Sequence, residues 1–151
     1  MTSHPATGIG AYAELDGTPD AAGRARELVR QVLGSHHPSL NDAALIASEL
    51  AGNAVAHSRS GQPGGAFLLA IEATADTGDV HIQVRDAGGS GTPAIVAADQ
   101  ASEHGRGLAI IAALASQWGS EPTPVGRTTW ARISHAQRTA DEADVPEREA
   151  C

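Results

Sequence analysis

The chain has 151 residues, enough for one domain with its own hydrophobic core and no need of disulfides or a structural metal. Aromatic residues make up only 3%, so the core falls to Ala, Val, Leu and Ile. A net charge of -8 argues against a nucleic-acid surface, and the absence of any lysine excludes a P-loop, whose lysine holds the phosphates. The single cysteine, Cys151, rules out an internal disulfide. The first ten residues lack a basic and an apolar signal region, and no window reaches the roughly 18 apolar residues of a membrane span. A cytoplasmic protein without membrane contact is expected.

Residues 1–10 read as a flexible N-terminus, followed by a short strand around Ala11–Leu15. Thr18 and Pro19 resemble a helix start, with Thr18 as N-cap. Ala25, Leu28, Val29 and Val32 then share one face of a helix over Ala21–Leu33. A second helix is predicted from Leu40 to His57, capped by Ser39 or Asn41, because Leu40, Ala43, Ala47, Leu50 and Ala54 step by three and four. Phe67–Ala73 and Asp79–Asp86 read as two strands joined at Asp76–Gly78. A Gly/Pro/Ser-rich stretch leads to a third helix from Gly105 or Arg106 to about Trp118, which closes it at apolar spacing from Leu114. Gly119–Gly126 reads as a turn and Arg127–Ser134 as a last strand. Residues 135–151 are charged and almost free of apolar side chains, the composition of a disordered tail. This order predicts an α+β fold, a two-layer sandwich with helices over one face of a mostly antiparallel sheet, in a domain spanning residues 11–134.

Three segments carry candidate chemistry. On the second helix, Glu49 and Asn53 are four residues apart and share a face with Ile46. A carboxylate and an amide at the rim of a core need partners. They can bond each other, or they can serve Mg²⁺, Asn53 as an oxygen ligand and Glu49 as acceptor of a proton. At the end of the second strand, Asp86 continues the apolar phase of Val80, Ile82 and Val84, so its carboxylate points inward. It could accept from an exocyclic amine such as adenine's, with Gly88 admitting the base, or simply open an Asp-Ala-Gly turn. At the third helix, Gly105, Arg106, Gly107 and Leu108 form a glycine-rich start whose amides and dipole suit phosphate.

The order of these segments resembles the N, G1 and G2 boxes of the GHKL ATPase superfamily, the Bergerat ATP-binding fold, over Pro19 to Ser134. The resemblance implies ATP and Mg²⁺ as cofactors, Asn53 as the metal ligand and Glu49 as the catalytic base. It further implies Asp86 and Gly88 at the adenine, Gly105, Arg106, Gly107 and Leu108 at the phosphates, and Thr128 or Thr129 as a hydroxyl supporting Asp86. Gly89–His104 would be the ATP lid. The glycine pattern departs at Ser90, and Glu103 and His104 stand where kinase-competent relatives often carry an arginine. The compact length looks most like anti-sigma-factor serine/threonine kinases, which sequester a sigma factor and phosphorylate an antagonist protein; homodimerisation is expected from the resemblance alone. The rival readings are an ATP-binding or partner-binding module without transfer activity, and a structural domain that binds no nucleotide.

Overall fold

The computed structural model describes residues 8–88 and 103–135, with the backbone alone at 103–106. The expected lid at 89–102 and tail at 136–151 lie outside the described residues. Five strands form one antiparallel sheet in the order β1-β2-β3-β5-β4, with β1 at Gly8–Asp16, β2 at Ala66–Thr74, β3 at Val80–Asp86, β4 at Gln117–Thr123 and β5 at Gly126–Ile133. Helices α1 (Ala21–Leu33), α2 (Leu40–His57) and α3 (Glu103–Leu114) supply the second layer. The α+β sandwich read from the sequence is the fold.

The core lies between the layers. Leu69 and Ile71 of β2, Val80, Ile82 and Val84 of β3, and Ala131 and Ile133 of β5 meet Val29, Ile46, Leu50, Leu108 and Ile111 from the helices. With so few aromatics, alanines let the helices approach: Ala21, Ala25, Ala43, Ala47 and Ala51 are fully buried. Gly34 closes α1 at φ 78 and its N–H donates to Arg30 O at 2.9 Å, the left-handed stop that glycine adopts most readily. On the opposite face of the sheet His81 stacks on Trp130, ring centroids 5.9 Å apart.

Several local expectations need correction. β1 includes Gly8–Gly10, placed by the sequence reading in a flexible terminus. The residue preceding α1 is Asp20 rather than Thr18, and Thr18 hydrogen-bonds to the Asp20 side chain instead of capping the helix. Ser39 precedes α2 but its side chain makes no capping bond. α3 ends at Leu114, four residues early, and the predicted turn Gly119–Gly126 holds most of β4. Trp118 therefore reaches the core from a strand, not from a helix end. Pro122 is tolerated because β4 is the outermost strand, where a missing N–H need not serve a neighbour.

Candidate functional site

α2 presents Glu49 and Asn53, both half-buried, on the side that α3 approaches. The fit is tight at Gly107: a Cβ there would lie 2.6 Å from Glu49 Oε2 and 3.7 Å from Asn53 Oδ1. Two segments far apart in the sequence are thus brought together, with two side-chain oxygens near bare backbone. Because α3 starts at Glu103, Gly107 stands beyond the four amides that a helix start leaves free. Its lack of a side chain gives clearance to Glu49. Gly105 lies in the first turn. The Arg106 side chain is outside the described residues, and Leu108 is 1% exposed, anchoring α3 in the core.

Asp86 ends β3 on the helix-facing side of the sheet, in phase with buried Val80, Ile82 and Val84. Its Oδ1 accepts the Gly88 N–H at 2.6 Å, and Gly88 turns the chain at φ 77. Burial pushes the Asp86 carboxyl above the usual carboxylate range, opposed by the Gly88 amide and the Arg127 charge. The Asp86 backbone is packed tightly against β5: a Cβ on Gly126 would sit 1.8 Å from Asp86 O.

A short turn after α2 ties this acidic corner to the helix. Ser58 Oγ donates to Ala54 O at 2.6 Å and accepts the Ser60 N–H at 3.0 Å. Ser60, fully buried, accepts the Ala87 N–H on its Oγ at 2.9 Å, and the Arg59 N–H donates to Gly88 O at 2.8 Å. Asn53 lies four residues before the end of α2, roughly 6 Å along its axis. Helix α2 therefore connects physically to both the Gly107 contact and the Asp86 turn. The Ser58–Ser60 clamp escaped the sequence reading; Ser60 meets Ala87 across 27 residues, and no local pattern marks it.

The register separates the two threonines. Thr128 pairs with Arg85 on the outer face, away from Asp86, whereas Thr129 pairs with Val84 on the inner face and is 8% exposed. The hydroxyl on the Asp86 side is thus Thr129, not Thr128. Thr129 Oγ1 lies 3.0 Å from Ser120 Oγ, which also accepts from Arg127 Nη1 at 3.0 Å. Arg127 and Ser120 are polar residues of this floor that the sequence reading did not single out.

The donor set suits a small hard cation shared with phosphate. Glu49 and Asn53 offer oxygens near the bare backbone of Gly107, and Mg²⁺ is usually held by one or two protein oxygens plus substrate phosphates. Among the described residues no group of three or more His, Cys, Asp or Glu could hold a metal unaided.

The family model described as a histidine kinase-like ATPase domain matches residues 13–133. No curated protein matches the sequence. Among solved structures, the RsbU and RsbW domains of Rv1364c from Mycobacterium tuberculosis are similar at 25% identity and TM-score 0.61, over 83% of this chain and 32% of that one. This chain thus spans about a third of that protein. With the family model matched from within β1 to the end of β5, the chain belongs to the histidine kinase-like ATPase domain family.

Proposed function

We propose that this chain is an ATP- and Mg²⁺-binding serine/threonine kinase of the anti-sigma-factor type, acting in the cytoplasm on an antagonist protein and sequestering a sigma factor. The observation that carries the reading is the contact of Gly107 with Glu49 and Asn53, on the helix whose end is bonded to the Asp86 turn. Likeness to a structure containing an RsbW domain supports the regulatory part.

In this reading Asp86 accepts a hydrogen bond from the exocyclic amine of adenine, and Gly88 allows the base to approach. Asn53 offers its carbonyl oxygen to Mg²⁺, and Gly105 in the first turn of α3 faces the phosphates. Bound Mg²⁺ would neutralise phosphate charge. Glu49 takes the proton of the acceptor hydroxyl as its oxygen attacks the terminal phosphorus and ADP leaves. Positioning and charge neutralisation supply most of the catalysis in such transfers.

The decisive experiment is a titration of ATP and ADP with and without Mg²⁺, followed by incubation with [γ-³²P]ATP and candidate antagonist proteins. Magnesium-dependent binding and label on serine or threonine are expected. Binding without label on any antagonist reduces the protein to a regulatory module, and no binding of either nucleotide overturns the whole reading.

A further inference from the structure

Arg127 and Asp86 are direct partners across the β3–β5 ladder, so both side chains leave the same, helix-facing side of the sheet. Opposed residues stand about 5 Å apart at Cβ, well within the reach of an arginine. A half-buried carboxylate beside a guanidinium would ordinarily close into an ion pair. It does not: the ion pairs among the described residues are Arg24–Asp20, Arg30–Glu27 and Arg132–Asp79. Arg127 is drawn the other way, toward β4, where Nη1 donates to Ser120 Oγ at 3.0 Å. Ser120 is in turn fixed by the buried Thr129, 3.0 Å away. The floor therefore holds an acceptor and a donor side by side and keeps them apart.

One bond to Ser120 engages one of the five N–H donors of a guanidinium. The Asp86 carboxylate likewise has acceptor capacity left beyond its bond to Gly88. A planar group that enters between them meets an acceptor on one side and a donor on the other. Adenine offers the matching pair, an amino group next to a ring nitrogen with a free lone pair. Hypoxanthine and guanine place a carbonyl where adenine has its amine, which sets one acceptor against another at Asp86.

We propose that Arg127, held by Ser120, is the donor half of a base-reading pair whose acceptor half is Asp86, and that the pair selects a 6-aminopurine through its amine and an adjacent ring nitrogen. The inference rests on the proposed nucleotide site and adds to it a residue that determines which base is accepted.

The test compares dissociation constants for ADP, 1-deaza-ADP and 7-deaza-ADP, in which carbon replaces one or the other ring nitrogen beside the amine, for the native chain, Arg127→Met and Ser120→Ala. The native chain is expected to bind one deaza analogue about ten- to a hundredfold more weakly than ADP, the range for loss of a charged hydrogen bond. In Arg127→Met that ratio falls to about one, because the donor is gone whichever ligand is bound. Ser120→Ala keeps the charge and loses its anchor, so the ratio shrinks severalfold. Should Arg127→Met fail to fold, Ser120→Ala decides by the same ratio. Native ADP binding with both ratios near one, or ratios unchanged in the variants, overturns the role of Arg127 and leaves the nucleotide site standing. Failure of the native chain to bind any adenine nucleotide overturns both.

Discussion

Gly107 and Glu49 meet so closely that no side chain fits between the backbone of α3 and the carboxylate on α2: a Cβ would stand 2.6 Å from Oε2. The obstructing atom is the far end of a flexible side chain, so in Gly107→Ala the carboxylate moves and the helices stay. Alanine also gains up to about 1 kcal/mol of helix propensity over glycine, which offsets the crowding. The thermal midpoint is therefore expected to change little while phosphotransfer falls at least tenfold. Glu49→Asp in the same chain, with a shorter side chain, should recover part of that loss. A large fall in midpoint would show that the contact is structural.

Asp86 trades stability for its position. Burial raises its folded pKa above the ordinary 3.8, so folding takes up a proton there. The stability this contributes is complete below 3.8 and disappears as pH rises through the folded value, leaving an unfavourable buried charge at neutral pH. Asp86→Asn keeps the bond to the Gly88 amide and removes the charge. At pH 7 its unfolding midpoint should equal or exceed that of the native chain, with the gap closing below about pH 4. ADP affinity should nonetheless fall about ten- to a hundredfold. A midpoint lowered by several degrees at pH 7 would contradict the assignment.

Asp79, at the other end of β3, has the opposite sign. Burial pushes its carboxyl up, but the Arg132 hydrogen bond at 2.8 Å, the His135 amide at 3.0 Å and the Arg132 charge together hold it below 3.8. Its contribution is present above 3.8 and lost as pH falls through the folded value. Asp79→Ala should cost about 1–2 kcal/mol at pH 7, the low end of the range for charged hydrogen bonds because Arg132 is half exposed. The cost should shrink as pH falls below 3.8, read by urea unfolding, with nucleotide affinity unaltered.

Asn53→Ala separates the cation from the base. Mg²⁺ should cease to improve nucleotide affinity, while affinity measured without Mg²⁺ stays within about twofold, since Asp86 and its turn are untouched. Retention of the Mg²⁺ effect would remove Asn53 from the metal site.

Both long helices could be read from the sequence, apart from the first turn of α1, because three-four spacing of apolar side chains survives even when those side chains are alanines. β4 could not. Gly119, Ser120 and Pro122 are turn-forming residues by composition, and only pairing with Arg127–Arg132 of β5 makes them a strand. Leu114 and Trp118 satisfied a helical period although the chain changes from helix to strand between them; both are packed against the core, but from different elements. At the site, Glu49, Asn53, Asp86 and Gly107 stood out because each is an unusual residue in a regular pattern. Ser60, Ser120 and Arg127 are ordinary in their local sequence and acquire partners only through register, across 27, 9 and 7 residues. The same register puts Thr129 rather than Thr128 on the Asp86 side, a choice the sequence left open and strand phase alone decides.

Pro122 gives the sheet a polarity. Along β4 the outward row of donors is broken by an imino ring, and a foreign strand laid there would lose a bond and meet a rigid bulge. Gly8–Asp16 carries no proline, and among the described residues no strand pairs with its outer flank, so an uninterrupted backbone could be laid there. Addition of another strand is thereby less hindered at β1 than at β4.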